Sequence, residues 1–183
     1  TTLSTILNTL ITIRVPEIIL VQLQNLRYYL DDVAAAMIVF QIQGQLAGNG
    51  YIIIHIPKDS ITRLTSIMLG QNASEREIDD MDESALHEIG NIMTSSFLDA
   101  CATLLSIIMI PSPPSMVIDM PHAALQSIIA TQEIDDNVDE VVLFKTELMC
   151  AEYQISANII LLPSKGLLSE LFARMDNVIS TSG

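Results

Sequence analysis

The sequence predicts an α+β fold in which two similar halves share one β-sheet covered by helices, and three observations carry that prediction. Half of the 183 residues are apolar but only 4% are aromatic, so the core must be aliphatic, and it is large enough for one ordinary domain. The order of strand-like and helix-like runs recurs after a polar, acidic stretch, "QNASEREIDDMD". Prolines mark the recurrence. Pro57 and Pro163, 106 residues apart, each end a strand and precede a helix; Pro16 and Pro114, 98 residues apart, precede corresponding strands. A repeat of this length implies two supersecondary halves and not a solenoid. The expected organisation is one domain over 1–183: a first half-repeat at 1–70, an acidic linker at 71–82 and a second half-repeat at 83–183.

The opening run "TTLSTILNTLI" has helical spacing without a start signal, and reads as the back of a helix whose front would precede Thr1. "TIRVPEIILV" reads as a strand with Pro16 at an edge or a strand start, since proline cannot donate to a ladder. Residues 22–32 read as a short helix or a loop. The runs "AAMIVFQIQG" and "GYIIIHIP" read as strands joined by the turn "QLAGNG". "KDSITRLTSIMLG" follows as a short helix, capped by Asp59 or Ser60 and closed by Gly70. In the second half a long helix is expected over 81–109, with Asp80 as N-cap and Glu83 completing a capping box. A strand in "PSMVIDMP", a helix in "HAALQSIIATQ" and an acidic turn "EIDDNVDE" come next. Strands in "VVLFKTELMC" and "YQISANIILLP" and a helix in "GLLSELFARM" complete the chain.

The formal net charge of −14 would repel a phosphate backbone, which argues against nucleic acid and for a locally basic protein partner. Cys101 and Cys150 lie in apolar periodic segments and read as free buried thiols in a reducing compartment, the alternative being a disulfide without a supporting framework. The apolar runs fall far short of the roughly 20 residues that span a bilayer, so a cytoplasmic protein without membrane insertion is expected. His55, His87 and His122 lie on separate elements without metal-ligand spacing, and the acidic run at 133–140 lacks the spacing of a calcium loop.

The long helix is the informative element. At 100° per residue, Leu86, Ile89, Met93, Phe97, Ala100, Leu104 and Ile107 gather on one side. Ser84, Glu88, Asn91 and Ser95 gather on the other, with His87 and Asp99 at the margins. Glu88 and Asn91 therefore point the same way, about one turn apart. Asparagine is a poor choice for a helix interior because its amide competes for backbone hydrogen bonds.

Ser84, then Glu88 four residues on, Asn91 three further and Pro114 after 22 intervening residues match the signature of the CheC-type chemotaxis phosphatases, which include FliY and CheX. A chance match at all four positions is expected in roughly a few sequences per thousand. "HEIGNI" resembles the "EIGNI" core of that family, and the inferred repeat resembles its duplicated layout. The resemblance covers essentially the whole chain and implies an internally duplicated CheC-like fold. It also implies a second Glu/Asn pair on the equivalent first-half helix, at a position before Thr1.

What the resemblance implies chemically is hydrolysis of the aspartyl phosphate of a CheY-type receiver. Asn91 would orient the attacking water, Glu88 would dock against the receiver's lysine, and Ser84 would either support Glu88, touch the receiver or serve as an ordinary first-turn residue. Pro114 would start the following strand. The Mg²⁺ would belong to the receiver, with no cofactor on this chain. The deamidase CheD is a further implied partner, with the terminal helix at 166–175 as a docking site. The alternative is a noncatalytic adaptor that binds CheD, or a flagellar switch component of the FliM/FliY kind; the presence of both Glu88 and Asn91 counts against a FliM-like scaffold.

Overall fold

Two uninterrupted apolar runs, rich in isoleucine, place a pair of strands at the heart of the molecule. The computed structural model describes residues 11–44, 48–68, 77–131, 139–150 and 153–181. Its elements are β1 (Ile11–Gln22), a 3-10 helix (Leu23–Tyr29), β2 (Ala35–Gly44), β3 (Gly50–Pro57) and α1 (Lys58–Met68). The second half contributes α2 (Asp80–Leu105), β4 (Met109–Pro111), β5 (Ser115–Asp119), α3 (Pro121–Thr131), β6 (Glu140–Cys150), β7 (Tyr153–Pro163) and α4 (Lys165–Thr181).

The strands form one antiparallel sheet in the order β1-β6-β7-β3-β2-β4, with β5 also paired to β2. β3 and β7 meet at its centre, where Ile53 faces Ile160 and Ile54 faces Ile159. Outward from there each half supplies its own hairpin, β3–β2 or β7–β6. The next strand comes from the other half: β5 flanks β2, and β1 flanks β6. The two halves are pseudo-equivalent and interlocked, so neither could keep its sheet without the other.

Both sheet faces are covered, which is why the central strands are apolar at nearly every position. On one face Ile38, Phe40, Ile54 and Ile159 pack under α1, α2 and α4 through Leu64, Leu86, Ile89, Met93 and Leu167. On the other, Met37, Val39, Ile53 and Ile160 pack under Leu26 of the 3-10 helix and Ala124, Leu125 and Ile128 of α3. Pro16 lies inside the outer strand β1, at a register shift between Arg14 and Glu17. The shift reverses the alternation: Ile13 packs on the first face, while Ile19 and Val21 pack on the second. No described helix is long and apolar enough to cross a membrane.

Several boundaries differ from expectation. α1 begins at Lys58, directly after the strand, so Asp59 and Ser60 lie in its first turn and do not cap it. α2 begins at Asp80, so the last three residues of the expected linker are helical, and it ends at Leu105, not at 109. α4 runs to Thr181, well past 175. The expectations for residues 1–10, the turn at 45–47, Gly70, the polar run at 71–76 and most of the acidic run at 132–138 lie outside the described residues, as does the Cys150 side chain. Cys101 is a free thiol, half-buried, and burial pushes its pKa up to about 11.

Candidate functional site

The candidate site is the outward side of α2, and the first question is what holds that helix in place. Asp79 is its N-cap: its Oδ1 accepts from the backbone N–H groups of Met81 and Asp82, both at 3.0 Å. Asp82 returns the interaction, its Oδ2 accepting from the Asp79 N–H at 2.9 Å. The capping box is thus Asp79 with Asp82, not Asp80 with Glu83. Asp82 is fully buried, and the Asp79 N–H is a partner that a buried carboxylate requires. At the far end Ser106 adopts a left-handed conformation, φ 55°, and its N–H closes on the Ala102 carbonyl. The Arg174 guanidinium of α4 donates to the Leu105 and Ser106 carbonyls at 3.3 and 3.0 Å and pairs with Glu170 at 2.8 Å. A cation at the negative end of the helix dipole satisfies carbonyls that have no partner within the helix.

The buried side of α2 is not the single stripe that periodicity predicts. Leu86, Ile89 and Met93 face the sheet, but Ala100 and Leu104 face solvent, and Leu98 with half-buried Cys101 and Leu105 takes the inward positions. The cause is a change of neighbour along the helix. The first half lies on the sheet, while the second half reaches α4 through Arg174, and Phe97 meets Phe144 of β6 edge-on at 4.9 Å.

Where α2 crosses β2, it has glycine. A Cβ on Gly90 would lie 2.9 Å from Ile38 Cγ2 and 3.0 Å from its Cδ1, inside the 3.5–4.0 Å of ordinary carbon contact. The helix therefore rests against the sheet at the residue next to Asn91. On the solvent side of this crossing Asn91 is exposed and Glu88 half-buried, with Ser84 exposed one turn earlier. The Ser84 hydroxyl donates to the Asp80 carbonyl at 2.9 Å, so its proton is held by its own helix and does not support Glu88. Ser84, Glu88 and Asn91 share one helix face; Pro114 is on another element, immediately before β5. The sheet links the two elements: Gly90 meets Ile38, Ile38 pairs with Met116, and Pro114 stands two residues before Met116.

A family model, CheC-like family, matches residues 81–118, the span from the first turn of α2 into β5. The CheY-P phosphatase CheC of Bacillus subtilis (strain 168) is 27% identical over 149 residues, covering 79% of this chain and 69% of that protein. The chain resembles the CheC-type family, in the family model over α2 to β5 and in the Bacillus protein over most of its length. The crystal structure of Thermotoga maritima FliY shares the fold at TM-score 0.68 and 18% identity, covering 97% of this chain and 88% of that one. A chain of the CheX–CheY–BeF₃–Mg²⁺ complex from Borrelia burgdorferi does so at TM-score 0.52 and 13% identity, covering 89% and 93%.

Three features of the site were missed by sequence reasoning. Gly90 was quoted within "HEIGNI" without a physical role; a glycine on the apolar side of a long helix signals close approach. Ser112 was passed over among the prolines. Its N–H donates to the Gln41 carbonyl at 2.8 Å and its Oγ accepts from the Gln41 N–H at 3.0 Å. It bridges the gap between β4 and β5 on β2, where Pro113 and Pro114 have no N–H to offer. His87, placed at the margin of the stripe, is half-buried, and its Nδ1 has no partner among the described residues.

Proposed function

We propose that the chain is a phosphatase acting on the aspartyl phosphate of a CheY-type receiver, with the solvent side of α2 as its active edge. The observation that carries the proposal is Glu88 and Asn91 side by side on a helix seated against β2 at Gly90. A rigidly supported polar edge can enter a partner's site, and position is the main thing such a reaction needs from a second protein. Hydrolysis of a phosphoryl group requires a water held in line with the leaving oxygen. The Asn91 amide can do this, its oxygen accepting from the water and its nitrogen donating to a phosphoryl oxygen. An amide has no useful pKa, so Asn91 orients water and is not a general base. Glu88 pairs with a cationic side chain of the receiver, and its carboxylate fixes the angle of entry. The Mg²⁺ is the receiver's. The name of the Bacillus relative and the CheX–CheY complex support this choice of substrate.

The test is the decay of a phosphorylated receiver with wild type, Glu88→Ala and Asn91→Ala. Wild type should accelerate decay, Asn91→Ala should lose roughly 100-fold in kcat, and Glu88→Ala should raise KM by roughly 30-fold. Both variants should keep wild-type stability to within about 0.5 kcal/mol, since Asn91 is exposed and Glu88 only half-buried. Wild type that leaves the decay rate unchanged would refute the proposal and favour a noncatalytic role as an adaptor for CheD or a switch component.

A further inference from the structure

The active edge of α2 extends beyond the Glu/Asn pair. Met81 lies seven residues before Glu88, and at 100° per residue the two side chains are within about 20° of the same direction. It is 57% exposed although large and apolar. It sits in the first turn, where its N–H is held by Asp79 Oδ1 at 3.0 Å, so its backbone is fixed by the cap. Its neighbours Asp79, Asp80 and Glu83 are all exposed and acidic. The helix rises 1.5 Å per residue, which puts Met81 about 10 Å from Glu88 along the axis and about 15 Å from Asn91. The reacting groups and this side chain could thus meet one partner surface together.

We propose that Met81 is the docking anchor of the active edge, inserting its thioether into an apolar depression with a cationic rim on the phosphorylated receiver, beside the phosphoaspartate site. The inference rests on the phosphatase reading above and adds a specificity-determining contact to it. Charge complementarity selects the occupant. Glu88 points the same way two turns on and the exposed Asp80 lies beside Met81 in the first turn, and the chain's net charge of −14 disfavours a second copy of itself at the same place. A flexible, polarisable side chain suits a surface that must adapt to a partner's contour. The contact is made equally before and during hydrolysis, so it acts on binding and not on the chemical step.

The experiment compares wild type, Met81→Ala, Met81→Leu and, as a control, Met175→Ala, an exposed methionine on α4. Two quantities are read: KM and kcat for the phosphorylated receiver, and Kd for the receiver loaded with beryllofluoride and Mg²⁺. Met81→Ala should raise both KM and Kd roughly five- to tenfold with kcat unchanged. Met81→Leu should restore them, Met175→Ala should match wild type, and added salt should weaken binding. Wild-type KM and Kd in Met81→Ala would overturn the proposal, as would a loss confined to kcat. A wild-type chain that binds the receiver without speeding its decay would defeat the phosphatase reading alone, and the Kd comparison would still decide the role of Met81.

Discussion

Replacing Gly90 by alanine tests whether the active edge is positioned by its contact with the sheet. The new Cβ would lie 2.9 Å from Ile38 Cγ2, 3.0 Å from Cδ1 and 3.4 Å from Cβ. Restoring an ordinary contact near 3.6 Å requires about 0.7 Å of separation between α2 and β2. Ile38 cannot yield easily, because it is fully buried in a strand flanked by β3 and β5. Overpacking of this kind costs about 1–3 kcal/mol, and the better helix propensity of alanine returns about 1 kcal/mol. The net expectation is a loss of about 1 kcal/mol in denaturant unfolding. Activity should fall further than stability, roughly tenfold in kcat, because Asn91 moves with the helix and its water leaves the line of attack. The double variant Gly90→Ala/Ile38→Ala removes both clashing methyls and should be more stable than the sum of the single effects by about 1 kcal/mol or more. Strict additivity, or a Gly90→Ala protein about 1 kcal/mol more stable than wild type with full activity, would refute the reasoning.

Two further variants test the frame around the site. His55 on β3 is fully buried, with the Asn158 amide 3.1 Å from its Nδ1 and no partner on Nε2 among the described residues, and burial lowers its pKa to about 4. The unfolded chain takes up a proton near pH 6.5 that the folded protein refuses until about pH 4, so stability falls as pH drops through that window, by about 3 kcal/mol in all. Replacing His55 and Asn158 together by leucine should flatten this part of the stability–pH curve; an unchanged slope would show that other groups cause it. Ser106 carries a side chain at φ 55°, so Ser106→Gly should stabilise the protein by about 0.5–1 kcal/mol. A lower melting temperature for this variant would mean that the Ser106 side chain makes a compensating contact.

Much of this protein is written in local pattern. The strand runs, the helix starting near Asp80 and the stripe of Ser84, Glu88 and Asn91 follow from hydrophobic periodicity and cap chemistry, which act over a few residues. Even there cap chemistry points one residue too far along, to Asp80 with Glu83, where the structure uses Asp79 with Asp82. That choice gives the buried carboxylate of Asp82 the Asp79 N–H as its partner. Local pattern could not reveal that the inward side of α2 turns from Met93 toward Leu98 and Leu105, because the change is imposed by α4 and by Phe144, which lie far along the chain.

By itself the sequence determined the element types, the repeat of their order and the residues that line one helix face, because backbone sterics and the spacing of apolar side chains decide these locally. Only the tertiary structure decided that β1 crosses to β6 and β5 to β2, that Gly90 seats the helix on Ile38, and that Ser112 closes the gap left by two prolines. Those outcomes depend on which distant surfaces meet when backbone groups are satisfied and apolar faces are buried together, and no short stretch of sequence contains both partners.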